Sequence, residues 1–209
     1  MKKLFLTLLI LTAFLTMVGS SAFCDEANGE TIYTSCAACH GANAEGNVSL
    51  KSPNLTGLEK WYFASQINKF KNGVRGTHAE DTNGKLMAPM AQVIKNDQDM
   101  EDVFKYIQTF KKDIEVKPTL NGDAAKGKIL YSSCLACHGD KGQGNEALKT
   151  PSFKKQEDWY IVEQLIKFKK DIRGNHEKDV EGKMMAPMAK TLSDEKAMKD
   201  VAAYILTLK

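Results

Sequence analysis

The heptapeptide SCAACHG at residues 35–41 returns as SCLACHG at residues 133–139, and a single offset of 98 residues aligns far more than that. Cys36 falls on Cys134, His40 on His138, Trp61 on Trp159, Met87 on Met185 and Tyr106 on Tyr204, with no gap from about Gly29 to Phe110. KLMAPMA faces KMMAPMA, and VRGTHAED faces IRGNHEKD. The chain is one module of roughly 85–90 residues written twice. Two copies are fewer than the three or more that a stacked solenoid needs, so each must largely stabilise itself. Between them KKDIEVKPTLNGDAAKG is polar and carries Pro118 and then Asn121-Gly122, which reads as a linker and turn with the boundary near Pro118.

Each module reads as helical. Val103, Phe104, Ile107 and Phe110, and in the second copy Val201, Tyr204, Ile205 and Leu208, recur three and four apart, the spacing of one buried helical face. Asn96 and Ser193 are placed to cap these last helices. A middle helix runs through EKWYFASQINKFKNG, with Gly73 to end it, and through EDWYIVEQLIKFKKD; alternating strand patterns are absent. Met100 and Met198, on the last helices, read as core, and so by default do Trp61 and Trp159. A helical domain of this size buries a small core and is marginal alone, which points to a large apolar group completing it.

Three chemistries use C-x-x-C. Zinc wants two such pairs about 15–20 residues apart, and these are separated by most of a domain. Thioredoxin-like exchange wants a βαβ context, which helical modules lack. Covalent haem attachment uses two thiols for the two vinyl groups and the following histidine for the iron. Only the third employs all three residues, so Cys36, Cys39, Cys134 and Cys137 are expected to hold two haem c groups, with His40 and His138 as iron ligands.

The second axial donor should come later in each module. A methionine thioether is soft and favours reduced iron. Each module carries MAPM; the repeat discounts Met184, whose counterpart is Leu86, but does not separate Met87 from Met90 or Met185 from Met188. His78 and His176, nine residues before the first of each methionine pair, are the competing donors. Arg75 and Arg173 are either partners for haem carboxylates or plain surface residues.

Lys2 and Lys3, the apolar run LFLTLLILTAFLTMV and the small residues of GSSAFC read as a secretory signal, residues 1–24, cut after Ala22 or Cys24. An uncleaved anchor is the alternative, but the run is short of the roughly 20 residues that span a bilayer. Lipidation of Cys24 is a third. With Cys24 in this segment, the other four of the five cysteines fall in the two C-x-x-C-H units and none remains for a disulfide. Without residues 1–24 the chain has 27 Lys and Arg against 26 Asp and Glu. It therefore lacks the basic stripe of a nucleic-acid binder, and the Lys-rich segment KFKKDIR reads as a solvated helix face.

C-x-x-C-H near the start, a methionine ahead of a proline-containing loop and a final helix with a central tyrosine resemble the class I cytochromes c. The tandem layout resembles the dihaem cytochrome c4 family. The resemblance covers the chain after its signal and implies an all-α fold of two haem-binding domains, 25–117 and 118–209. It also implies Met87 and Met185, each just ahead of Ala-Pro, as the axial residues, with Met90 and Met188 packing the pocket. Gly29 with Tyr33, and Gly127 with Tyr131, are then expected where the first helix crosses the last near Tyr106 and Tyr204. The haems are expected to face each other across the domain interface.

The function expected is that of a periplasmic carrier of single electrons between redox partner proteins, because an iron with both axial positions filled has no vacancy for substrate. A dihaem electron-transfer subunit of a larger oxidoreductase, such as a flavocytochrome, is the second reading. A dihaem peroxidase is the third, disfavoured by the matching MAPM segments and the short chain. Peripheral attachment to a membrane is compatible with any of them. Four ionised haem carboxylates would bring the net charge to about −3, too little for strong long-range steering.

Overall fold

A computed structural model describes residues 25–111 and 114–208. The signal segment, Cys24 included, lies outside the described residues. Among these the chain forms helices and no strand beyond two isolated bridges, Asn47 with Ser52 and Asn145 with Thr150. The first half holds α1 (Glu26–His40), α2 (Lys60–Lys71), α3 (Thr82–Ala91) and α4 (Asp97–Thr109); the second holds α5 (Ala124–Tyr131), α6 (Leu135–His138), α7 (Asp158–Lys169), α8 (Val180–Lys190) and α9 (Glu195–Ile205).

Short polar side chains start these helices by accepting orphan amide hydrogens. Asp25 caps α1, Asn96 caps α4 through the Asp99 amide, and Asp123 caps α5 through the amides of Ala125 and Lys126. At α9 the cap is Asp194, which accepts from the Ala197 amide, and not Ser193. The Ser193 carbonyl instead receives the Lys169 ammonium at 2.9 Å. The first module's α1 is continuous through its cysteines, whereas α5 and α6 are separate. Ser132 and Ser133 turn their hydroxyls back on the carbonyls of Ile129 and Leu130, and the Cys134 amide takes the Tyr131 carbonyl three residues back, which breaks the regular ladder.

Each half has its own core. In the first, Ile32, Tyr33, Phe63, Ile67, Met100 and Val103 pack together; in the second, Tyr131, Val162, Leu165, Met198, Val201 and Ile205 do. Trp159 is buried as well, and Met100 and Met198 take the core positions their helical register predicts. The first helix crosses the last at a glycine. A Cβ on Gly29 would lie 2.4 Å from the Asp102 carbonyl oxygen, and one on Gly127 only 1.8 Å from that of Asp200, with the Tyr106 and Tyr204 Cβ atoms at 2.9 Å.

The two halves meet through an interface in which the main polar contacts occur twice, with partners exchanged. The Lys69 ammonium bonds Asp179 at 2.6 Å, and Lys167 bonds Asp81 at 2.9 Å. Glu157 accepts from the Asn54 amide at 2.9 Å, and Glu59 from the Ser152 amide at 3.0 Å. Lys51 lies over Trp159 and Lys149 over Trp61, each at 5.4 Å. Every pair maps onto the other by the 98-residue offset, so the halves pack as the two faces of an isologous dimer do. Lys167, expected on a solvated face, is thus largely buried across the interface, as is its counterpart Lys69. The expectation failed because Asp81, which pairs with Lys167 beside its own module's Glu163, lies in the other module.

One position departs from the repeat for a visible reason. Asp158 is buried and its carboxylate accepts from the Thr119 amide, the Thr119 hydroxyl and the Leu120 amide at 2.6–2.7 Å, which fastens the linker. Its counterpart is Lys60, which pairs with Glu101 on the surface.

Candidate functional site

The C-x-x-C-H units lie where the first helix of each module ends. His40 and His138 are the last residues of α1 and α6, followed by Gly41 and Gly139 at φ 86° and 80°, the left-handed region open to glycine. The Tyr33 hydroxyl donates to the Gly41 carbonyl at 2.6 Å and that of Tyr131 to the Gly139 carbonyl at 2.8 Å, which fixes each turn from inside the core.

Both imidazoles are buried, at 7% and 6% exposure. Nδ1 of His40 lies 2.8 Å from the Pro53 carbonyl and Nδ1 of His138 3.0 Å from that of Pro151. A carbonyl only accepts, so Nδ1 carries the proton and Nε2 keeps its lone pair. Burial lowers the pKa of both rings, against the opposing pull of the carbonyl. Neutral imidazoles with a free Nε2 are what a metal requires. The surroundings differ in one respect: Phe153 stacks on His138 with centroids 4.3 Å apart, whereas the equivalent position before α2 is Leu55.

Each histidine opens on a cavity. The first is lined by Cys36, Cys39, His40, Met87 and Met90, the second by Cys134, Cys137, His138, Met185 and Met188. Counting their open mouths, the two spaces measure about 1390 and 1450 Å³. Their walls are mainly apolar; the polar groups on them are sulfurs, imidazoles, hydroxyls, amides, phenols and guanidiniums, with a few lysine and carboxylate side chains such as Lys69 and Asp179 at the second and Lys167 and Glu163 at the first. This donor set fits a large flat apolar cofactor with one metal: thiols for tethering, and an imidazole and a thioether for the iron.

The methionine segments lie on helices, not in the loop that the proline suggested. α3 and α8 run through Met87 and Met185 with Pro89 and Pro187 inside, and their first turns are capped by Asp81 and Asp179 accepting from Gly84 and Gly182. Each proline stands near the end of its helix and removes one amide donor to the carbonyl four residues earlier. Met87 and Met185 are half-buried against the cores, and Met90 and Met188 are 38% and 37% exposed. His78 and His176 are outside both cavity linings; their Nδ1 atoms accept from the Glu80 and Lys178 amides two residues on. Among the described residues no three His, Cys, Asp or Glu side chains converge as a metal-ion site.

Arg75 and Arg173 are not surface residues. Both reach into the interface, where Gln66 and Gln164 receive them. The glutamines and their neighbours Tyr62 and Tyr160 line both cavities and went unremarked in the sequence. Their signal was available: the same polar residue at the same place in both copies of an otherwise apolar helix face.

The cytochrome c family model matches the chain twice, over residues 26–111 and 124–209. The chain belongs to the cytochrome c family, with one domain of it in each half, and accordingly has two covalently attached haem c groups as its cofactors. Its particular likeness is to cytochrome c4: it is 30% identical to that of Pseudomonas aeruginosa over 216 residues, 97% of this chain and 96% of that protein. The fold matches the reduced cytochrome c4 from Pseudomonas stutzeri with a TM-score of 0.67, at 24% identity and over 90% of this chain and all of that one. The FixP subunit of the Cbb3-type cytochrome c oxidase of Bradyrhizobium diazoefficiens is 31% identical over 133 residues, 60% of this chain but only 43% of FixP. As a two-domain cytochrome of this kind the chain is an electron carrier and not an enzyme.

Proposed function

We propose that the protein is exported to the periplasm with residues 1–24 removed, and that domains 25–117 and 118–209 each hold one haem with histidine and methionine at the iron. Cys36 and Cys39, and Cys134 and Cys137, tether the two groups; His40 with Met87, and His138 with Met185, supply the axial donors. The observation that carries this is the gathering, twice, of two cysteines, a buried imidazole with Nδ1 already committed and a half-buried methionine around one apolar cavity.

When bound, haem supplies an iron that exchanges one electron between its ferric and ferrous states. The chain's residues set the terms of that exchange. The Pro53 and Pro151 carbonyls hold each imidazole in one tautomer and raise its basicity as a donor. The thioethers favour the reduced metal. The apolar walls exclude water, and with both axial places filled by side chains no substrate binds.

The partners are redox proteins. The likeness to FixP, part of an oxidase complex, supports a second reading in which the chain relays electrons as a subunit of a larger oxidoreductase. Among the described residues no helix is long and apolar enough to cross a membrane.

Met87→Ala and Met185→Ala variants of the haem-loaded protein test the ligand set. Each should lose about half of the far-red methionine-to-ferric-iron band and open one of two irons to carbon monoxide, while Met90→Ala and Met188→Ala keep the full band. Loss of the band on substitution of Met90 or Met188 instead would reassign the ligands.

A further inference from the structure

Two buried guanidinium groups share the same two acceptors where the domains meet. Arg75 donates to Gln66 Oε1 at 2.8 Å and to Gln164 Oε1 at 3.1 Å; Arg173 donates to Gln164 Oε1 at 2.8 Å and to Gln66 Oε1 at 3.2 Å. Each cation therefore reaches into the other domain, and each amide oxygen bridges both. The remaining neighbours are neutral as well. Arg75 lies 4.6 Å from the centre of the Phe70 ring and 3.4 Å from the Tyr160 hydroxyl, and Arg173 lies over Phe168 at 4.4 Å, with the Tyr62 phenol beside it.

Among the described residues neither arginine forms an ion pair. The acids whose charge acts on them, Asp81 on Arg75 and Asp179 on Arg173, are already bonded to Lys167 and Lys69. The Nε–H of each guanidinium is buried without an acceptor. Buried charge is costly unless it is paired, and two like charges bridged by the same oxygens raise that cost. The arrangement calls for an anion. Arg75 lines the first cavity, Arg173 the second, and the Tyr62, Tyr160, Gln66 and Gln164 side chains line both, so the cluster is the wall the two cavities have in common.

Haem carries two carboxylates, and planar guanidinium donors suit them. We propose that Arg75 and Arg173 form one shared carboxylate-binding site for both haems, through which each arginine sets the reduction potential of the haem in the other domain as well as its own. This rests on the two-haem reading above. A fixed positive charge near an iron favours the reduced state, so its loss lowers the potential. Because the guanidiniums hold one another's acceptors, the loss of either is felt in both domains.

The test is a potentiometric titration of the haem-loaded full chain and its Arg75→Gln, Arg173→Gln and Arg75→Lys variants, with haem content and axial-ligand bands recorded for each. Both potentials should fall in Arg75→Gln and again in Arg173→Gln, with two low-spin haems retained, and Arg75→Lys, which keeps the charge, should shift them much less. The proposal is overturned if the glutamine variants keep both haems and both potentials, or if Arg75→Gln moves only the haem tethered at Cys36 and Cys39. Should these variants not fold, Gln66→Ala keeps both charges and removes one bridge; it should alter the separation of the two potentials, and an unchanged separation in the folded protein is equally fatal. A wild-type chain with fewer than two covalent haems would instead remove the reading beneath the proposal, whatever the arginines do.

Discussion

Glu157 and Glu59 are the same residue at the same place in the repeat, and each accepts a backbone amide from the other domain. Burial nevertheless pushes the Glu157 carboxyl up to about 7, with the adjacent Asp158 adding to the effect and the Asn54 amide opposing it. A carboxyl raised on folding binds more protons in the native state between its unfolded and folded values, so stability falls as pH rises through that window. Between pH of about 4.5 and about 7 the haem-loaded protein should lose on the order of 2 kcal/mol from this group, measured by urea unfolding. Glu157→Gln should flatten that slope; an unchanged slope in the variant would show that Glu157 is not its source. The sequence misled on Lys167, because a helix's own periodicity does not reveal an interface made with a partner nearly a hundred residues away.

Among the elements, the first and last helices of each module were the most legible. The apolar spacing of α4 and α9 identifies their buried faces, and the glycines of α1 and α5 lie where they cross. That crossing yields a graded expectation. A methyl group at Gly127 would come within 1.8 Å of a backbone oxygen and one at Gly29 within 2.4 Å, and backbone cannot step aside as a side-chain tip can. Gly29→Ala should cost about 1–3 kcal/mol and Gly127→Ala at least as much. Thermal or urea unfolding of the holoprotein measures both, and a Gly127→Ala protein as stable as wild type would contradict the crossing. The methionine segment was less legible. Its proline suggested a loop, but Asp81 and Asp179 cap helices that run on through Pro89 and Pro187 to end two or three residues beyond them. The break between α5 and α6 was not legible either, since it turns on the rotamers of two serine hydroxyls.

For the whole molecule, duplication is the organising fact. A module too small for an ample core gains a second one to pack against, and the exchange symmetry of the interface follows because both faces derive from one sequence. The two cavities then share a wall of polar side chains, which places the proposed redox centres in contact through protein groups. With 27 basic against 26 acidic side chains after the first 24 residues, long-range fields contribute little, and partner choice rests on local surface. The offset of 98 residues made the two-domain plan and the cysteine and histidine positions plain in the sequence. The wall between the cavities emerged only in three dimensions.

The measurement that bears most directly on the central claim is an absorption spectrum of the haem-loaded protein, ferric and then ferrous, followed by addition of carbon monoxide. Two low-spin haems per chain, with the weak far-red methionine band in the ferric state and no change with carbon monoxide, are expected of a carrier with both irons closed. A high-spin component, or ready binding of carbon monoxide, would mean an open iron and contradict the account.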